Sequence, residues 1–174
     1  MKTLRILGVI LALLLTVSGC SIRSSQLSSI IDFARGPTEN YADSAWVIGY
    51  GDYRAQVQAV SFEAGILFSN NLGDQAFFDG WTVTRAAGLG LRRGSWSVRD
   101  DAAGRHFSRR SRLTSYPPCA PWVKKMQSNV IKFTQSCQGS AEYSNSILVN
   151  EKGEIVIIRQ SLNAGASFVT LKKL

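Results

Sequence analysis

The 174-residue sequence has one histidine, three cysteines and only 12 acidic residues against 20 lysines and arginines. A catalytic triad based on histidine would have to use His106, and a zinc site would need more ligands at close spacing than the chain offers. No serine lies in a Gly-x-Ser-x-Gly motif, and the scattered acidic residues give no pair that spacing alone brings together. We therefore expect a protein without enzymatic activity, metal or cofactor.

The longest apolar run is too short to cross a bilayer comfortably. Lys2 and Arg5 precede this uncharged segment, residues 7–17. Such an order is typical of a secretory signal peptide. The next residues, 17–20 (VSGC), resemble a bacterial lipobox, in which the signal is cut before the cysteine and the thiol carries a diacylglyceryl group. Cys20 is thus the predicted lipidation site, and a cleaved signal with a chance cysteine is the alternative.

The predicted signal peptide divides the chain into three parts. Residues 1–19 are the signal, residues 20–44 a serine-rich lipidated tether with an optional short helix over 27–33, and residues 45–174 a β-rich domain. The acyl chains place the mature protein on a membrane. Ser21 after the cysteine favours, by resemblance to enterobacterial lipoproteins, the outer membrane with the domain facing the periplasm. Because the mature protein is expected to be exported from the cytoplasm, we do not expect nucleic acid as a partner.

The charge and the cysteines of the mature protein follow from removal of the predicted signal peptide. Loss of Lys2 and Arg5 with the signal lowers the formal charge from +8 to +6. A basic balance attracts anions such as lipid headgroups or acidic polysaccharide. Once Cys20 is assigned to the lipid, Cys119 and Cys137 remain, and two thiols in an oxidising compartment are expected to form one disulfide.

From residue 45 onward the sequence is typical of short strands separated by turns. Alternation over residues 53–59 predicts a half-buried strand. Asp79-Gly80 predicts a tight turn, and residues 150–153 between two apolar runs predict a hairpin. The other predicted strands are 66–68, 76–78, 81–84, 96–98, 130–134, 146–149, 155–158 and 167–171. No later segment has a convincing helical period, so the predicted fold class is all-β, a single antiparallel β domain forming a curved sheet or a partly closed barrel.

Two segments, together with the lipobox, resemble a known family. Residues 79–89 (DGWTVTRAAGL), with 66–69 as the partner strand, and residues 146–165 are similar to segments of the GfcB/YjbF type of lipoprotein. That family is encoded with the machinery for group 4 capsule and related exopolysaccharides. The resemblance implies a β-rich periplasmic domain held at the outer membrane, an accessory role in polysaccharide secretion or assembly, and no known enzymatic activity.

The densest charge feature lies in the middle of the chain. It consists of seven arginines, relieved only by two acidic residues: Arg92, Arg93, Arg99, Arg105, Arg109, Arg110 and Arg112. Guanidinium groups suit carboxylate and phosphate. We expect either a patch that binds an acidic polysaccharide or lipid phosphates, or a solvated hairpin edge whose charges only prevent aggregation.

Aromatic and proline residues are expected to be mainly structural. Large aromatics bury much apolar area, so the four tryptophans should lie in the core rather than stack on sugar rings: Trp46, Trp81, Trp96 and Trp122. The proline-rich segment 116–122 is expected to be a stiff crossover, with a recognition surface as the alternative.

Three functions remain open at this point. The first is an accessory lipoprotein of capsule or exopolysaccharide secretion that binds polymer or an export-machinery protein. The second is an outer-membrane lipid- or lipoprotein-handling domain with an apolar cavity, and the third is a purely structural envelope lipoprotein. An open apolar pocket would favour the second, whereas a filled core beside an exposed arginine groove would favour the first.

Overall fold

The computed structural model describes residues 45–90 and 94–174, so Cys20, Arg92 and Arg93 lie outside the described ranges. Within those ranges the chain forms 13 strands and no helix. The strands are β1 (Ala45–Tyr50), β2 (Tyr53–Phe62), β3 (Gly65–Ser69), β4 (Gln75–Phe78), β5 (Val83–Ala87), β6 (Ser95–Asp101), β7 (Gly104–Arg109), β8 (Arg112–Tyr116), β9 (Val123–Gln127), β10 (Val130–Gln138), β11 (Glu142–Val149), β12 (Ile155–Ser161) and β13 (Phe168–Lys173). No helix long and apolar enough to span a membrane occurs in this part of the chain.

All 13 strands belong to one antiparallel sheet with the order β8-β7-β6-β5-β4-β3-β2-β1-β13-β12-β11-β10-β9. β1 pairs with β13 at the centre, and each half of the sheet is a meander of neighbouring hairpins. The two edge strands, β8 and β9, are consecutive in sequence and are joined by residues 117–122. The predicted fold class, one antiparallel β domain built as a curved sheet, is confirmed.

Hydrogen bonds between distant strands show how the sheet curls. Gln160 of β12 accepts a bond from the Val83 N–H of β5 at 2.8 Å and donates one to the Trp81 carbonyl. Arg105 of β7 donates to Gln135 of β10 at 3.3 Å. These partners lie on opposite sides of the central β1–β13 pair. The two halves of the sheet therefore fold towards each other around a buried face.

The buried face carries the hydrophobic core. Apolar side chains that are at most 2% exposed come from both halves of the sheet: Ile48, Phe68, Phe78, Ile147, Ile158, Leu162 and Leu171. Burial of each contributes about 1.5–3 kcal/mol. Trp46 and Trp96 are buried as predicted. Trp81 and Trp122 are only half-buried, because they lie in connections outside the strands, so the core prediction is wrong for these two. Their ring centroids are 5.2 Å apart and the ring planes are tilted by 37°.

The local turns follow the sequence signals closely. The Asp79 carboxylate accepts bonds from the N–H groups of Trp81 at 2.9 Å and Thr82 at 2.7 Å, which closes the predicted turn. Because of this turn, β5 begins at Val83, two residues later than predicted. The predicted hairpin between β11 and β12 is present and is closed by a 2.9 Å backbone bond from Asn150 to Glu154.

A buried carboxylate holds the β3–β4 turn against the end of β5. Asp74 is 2% exposed and accepts bonds from Tyr53 Oη at 2.7 Å, Asn70 Nδ2 at 2.8 Å and the Leu89 N–H at 2.6 Å. A Cβ on Gly88, whose φ is +73°, would lie 2.7 Å from Asp74 Oδ1, so only glycine fits there. Burial raises the pKa of Asp74, but the bonds from Tyr53, Asn70 and Leu89 outweigh it and hold the pKa below its ordinary value.

Replacing Asp74 with alanine is expected to lower the free energy of unfolding by about 2 kcal/mol at neutral pH, because buried donors lose their acceptor. Since the folded pKa is depressed, this stabilisation is present above the unfolded pKa of about 3.9 and is lost as the pH falls through the folded value. Urea unfolding of both proteins at neutral and acidic pH measures the difference. The exposed Asp52→Ala serves as the control. A constant difference across this pH range would contradict the assignment.

Candidate functional site

One wall of the curled sheet is formed by the inward-facing residues of β6, β7 and β8. Successive residues of a strand face opposite sides, so Trp96 of β6 faces inward together with Phe107 and Arg109 of β7. Trp96 lies opposite Arg109, and Arg109 lies opposite Arg112 of β8. Three neighbouring strands thus present an aromatic ring and two guanidinium groups in one cross-strand row.

A groove of about 480 Å³ lies along this row. It is lined by three arginines, three aromatic residues, two hydroxyl residues and two residues of the loop that follows β12: Arg109, Arg110, Arg112, Trp96, Phe107, Tyr116, Ser111, Thr114, Asn163 and Ala164. We call it the arginine groove. The loop from β12 comes from the other half of the sheet, so the groove exists only in the folded, curled domain.

The arginine groove offers several hydrogen-bond donors to one ligand. The Arg109 guanidinium lies 4.7 Å above the Trp96 ring, a cation–π contact that orients it. Trp96 Nε1 is buried without a hydrogen-bond acceptor. Arg110, in the two-residue turn between β7 and β8, has a φ of +56°, as is common for the first residue of such hairpin turns. The arrangement suits an acidic, oxygen-rich ligand.

The predicted arginine patch is only partly assembled. Arg99 is three residues from Trp96, so its side chain points to the outer face, where it pairs with Asp101 at 3.2 Å. Arg105 faces the interior and is 1% exposed. The prediction of one surface patch is therefore wrong for Arg99 and Arg105. The alternation of apolar residues in β6 could have predicted that Arg99 faces outward. Nothing in the sequence indicated that Arg105 of β7 faces inward.

Arg105 is the centre of a polar cluster inside the sheet. Its Nη1 donates to Asp100 Oδ2 at 3.0 Å and to Gln135 Oε1 at 3.3 Å, and it lies 3.6 Å from Cys119 Sγ. Gln135 in turn accepts a bond from Asn145 Nδ2 at 3.1 Å. Burial raises the pKa of Asp100, although the charge of Arg105 partly opposes the shift. This cluster links β6 and β7 to β10 and β11.

His106, the only histidine of the sequence, is half-buried on the outer face of the sheet. Its Nδ1 lies 2.8 Å from Ser115 Oγ and its Nε2 lies 3.0 Å from Asp101 Oδ1, and the side chain is 13% exposed. The hydrogen bond with His106 lowers the pKa of Asp101. These residue types also occur in hydrolase triads. Here they lie on the outer face of β6–β8, opposite the arginine groove, and bridge three strands.

Cys119 and Cys137 form the predicted disulfide, which joins the proline-rich connection to β10. A backbone bond of 2.8 Å from Ala120 to Ser136 lies beside it. The segment 117–122 is thus held as a crossover between the edge strands, as predicted from its prolines. Among residues 45–90 and 94–174, no group of three or more His, Cys, Asp or Glu side chains is placed to hold a metal ion.

Comparison with known proteins identifies the fold but not the family. No family model matches the chain, and no curated protein sequence matches it. Among solved structures, the chain is similar to the hypothetical lipoprotein YmcC from Escherichia coli (K12), with a TM-score of 0.52 and 13% sequence identity over 87% of this chain and 97% of that one. The similarity shows a shared fold. The resemblance to the GfcB/YjbF family is not confirmed by a sequence match.

Proposed function

We propose that this protein is a lipoprotein of the bacterial envelope, anchored by Cys20 in the outer membrane with its β domain facing the periplasm. In this proposal it assists capsule or exopolysaccharide secretion by binding an acidic polysaccharide in the arginine groove. The VSGC segment supports the anchor, as does a fold shared with a protein described as a hypothetical lipoprotein. The convergence of Arg109, Arg110 and Arg112 on one groove is the observation that carries the binding function.

The chemistry of the groove favours binding over catalysis. Guanidinium groups donate paired hydrogen bonds to carboxylates, which are the acidic groups of uronic acid polymers. Among the described residues that line the groove there is no carboxylate, histidine or thiol to act as a general base. Arg110 and Arg112 are exposed, so salt will screen their attraction for the polymer. We therefore propose a salt-dependent, non-enzymatic interaction.

The filled interior supports this proposal over the lipid-handling alternative. An acyl-binding domain needs an apolar cavity. Here Gln160 and Arg105 cross the interior with hydrogen bonds, and Phe68 and Phe78 occupy it with no exposed surface. Acyl chains could enter only by displacing these groups. The arginine groove, by contrast, is already open to a polar polymer.

Replacing Arg109, Arg110 and Arg112 with serine is expected to weaken binding to a polyuronate such as alginate by about tenfold or more, because charge-assisted hydrogen bonds are lost. Retention of the purified protein on immobilised alginate, measured across a range of salt concentrations, gives the comparison. Wild-type protein should elute at higher salt than the variant. Neutral dextran should retain neither protein.

The matched control removes the same charge elsewhere. Arg54, Arg99 and Arg159 are exposed and do not line the groove, so their replacement with serine should leave most of the retention intact. Equal losses in the two triple variants would show that net charge alone determines retention, and the groove would no longer be supported as the binding site. Absence of retention for the wild-type protein would contradict polysaccharide binding and would favour an export-machinery protein as the partner.

A further inference from the structure

Half of the Arg105 guanidinium has no partner in the interior of the sheet. Nη1 is bonded to Asp100 and Gln135, but Nε and Nη2 are buried without an acceptor. The N–H of Nε and one N–H of Nη2 are parallel, a spacing that matches the two oxygens of a carboxylate. Nearly all buried polar groups in proteins are hydrogen-bonded, so an unpaired guanidinium edge indicates a missing acceptor.

A second unpaired donor lies in the same region. Tyr143 of β11 is 7% exposed, and its hydroxyl is buried without a partner. Burial raises the pKa of Tyr143, and the nearby charges of Arg105 and Asp100 modify it in opposite directions. The hydroxyl is therefore protonated at neutral pH and able to donate. Tyr143 is paired across the ladder with Cys137, and Sγ of its disulfide partner Cys119 lies 3.6 Å from Arg105 Nη1. Three donors from two strands thus lack an acceptor on either side of the buried disulfide.

We propose that the Nε–Nη2 edge of Arg105 and the Tyr143 hydroxyl form a buried binding site for a single carboxylate. Arg105 then bridges two carboxylates, Asp100 on one side of the guanidinium and the ligand on the other. A planar monoanion with two oxygens uses both parallel donors, and the hydroxyl bonds one of the same oxygens. A dianion such as phosphate is disfavoured, because the single positive charge of Arg105 is already shared with Asp100.

The site lies directly behind the arginine groove. Arg105 is paired across the ladder with Tyr116, and its guanidinium is 5.7 Å from the Phe107 ring. Tyr116 and Phe107 both line the groove and contact each other edge-on at 6.0 Å. A carboxylate reaches Arg105 from the groove when these rings separate. The ligand is either a small free acid or the terminal carboxylate of a sugar acid. This site goes beyond polymer binding and does not depend on it.

Thermal unfolding of the mature lipidated protein in detergent tests the site. Sodium acetate should raise the melting temperature saturably above the value in sodium chloride of equal ionic strength, since it binds only the folded state. Tyr143→Phe removes one donor without changing the packing volume greatly, and it should weaken the apparent affinity for acetate by about tenfold. Tyr50→Phe, in β1, should respond to acetate like the wild type. Equal responses of wild type and Tyr143→Phe would overturn the proposal.

NMR spectroscopy detects binding at the site directly, without a measurement of unfolding. The Nε–H resonance of Arg105, assigned by its loss in Arg105→Lys, should shift saturably with acetate and not with chloride. A resonance that ignores acetate would mean that an internal water satisfies these donors, and the proposal would fail. Glucuronate and inorganic phosphate are the other probes: tighter binding of glucuronate indicates a sugar acid, whereas tighter binding of phosphate contradicts the carboxylate assignment.

The groove variant separates this proposal from the previous one. Protein with serine at positions 109, 110 and 112 should lose retention on alginate and keep its response to acetate. If retention depends on the groove but acetate has no effect, the buried site fails alone. If acetate acts as expected on a protein that ignores alginate, polymer binding fails alone.

Discussion

Replacing Cys20 with alanine is expected to abolish incorporation of labelled palmitate and to release the protein from the membrane fraction. In the proposed anchor, the Cys20 thiol is the group that accepts the diacylglyceryl group, and alanine has no nucleophile to replace it. Each buried CH₂ contributes roughly 0.8 kcal/mol, so one acyl chain binds reversibly whereas several together hold a protein almost permanently. The expected change is therefore a nearly complete shift from membrane to soluble fraction.

The other two cysteines provide the control for this experiment. Cys119→Ser with Cys137→Ser removes the disulfide but leaves Cys20, so labelling and membrane association should be retained. The mature wild-type protein should also begin at Cys20 by mass spectrometry. Palmitate label in the Cys20→Ala protein, or a purified wild-type protein that keeps residues 1–19, would contradict the anchor and with it the proposed compartment.

The parts of the fold that local sequence determines could be predicted. β11 and β12 carry apolar runs on either side of a turn with Gly153, and the structure forms this hairpin. Asp79-Gly80 likewise places the turn after β4. In both cases the residues that decide the conformation are adjacent in sequence. Antiparallel hairpins of this kind are built from local contacts, which explains why the fold class follows from the pattern.

β7, β8 and β9 were not predicted, because they lack the alternation of apolar and polar residues that is typical of a half-buried strand. β7 places Arg105, Phe107 and Arg109 on its inner face, so the expected alternation of apolar and polar residues is absent. β9 is exposed along its whole length and has no apolar face to detect. Such strands form because neighbouring strands pair with them, and that information lies elsewhere in the chain.

The candidate site was predicted less completely than the fold. The arginines at 109, 110 and 112 are close in sequence, and a tight turn between β7 and β8 keeps them together. Asn163 and Ala164 reach the groove from the other half of the sheet, which only the curl of the sheet determines. The unpaired edge of Arg105 and the unpaired Tyr143 hydroxyl are also products of tertiary structure. A count of charges contains no information about such contacts.

The disulfide lies where the curled sheet would otherwise be held least firmly. β8 and β9 each pair with only one neighbouring strand, and the connection 117–122 between them is bonded to β10 through Cys119–Cys137. On β9, Val123 is 52% exposed and Met126 is 70% exposed. An exposed edge strand with apolar residues is prone to pair with other chains. The disulfide joins the connection between these two edge strands covalently to β10.

Removal of this disulfide by the double replacement Cys119→Ser and Cys137→Ser is expected to lower the free energy of unfolding by about 3 kcal/mol. The two cysteines are 18 residues apart, and the bond reduces the conformational entropy of that loop in the unfolded chain. Because the unfolded state expands when the bond is absent, the urea m-value should rise slightly as well. Equilibrium urea unfolding of the oxidised, reduced and double-serine proteins measures both quantities. Reductant should have no further effect on the double-serine protein. If the oxidised and reduced proteins unfold at the same urea concentration, the disulfide does not stabilise the fold, and strand pairing alone holds the edges β8 and β9.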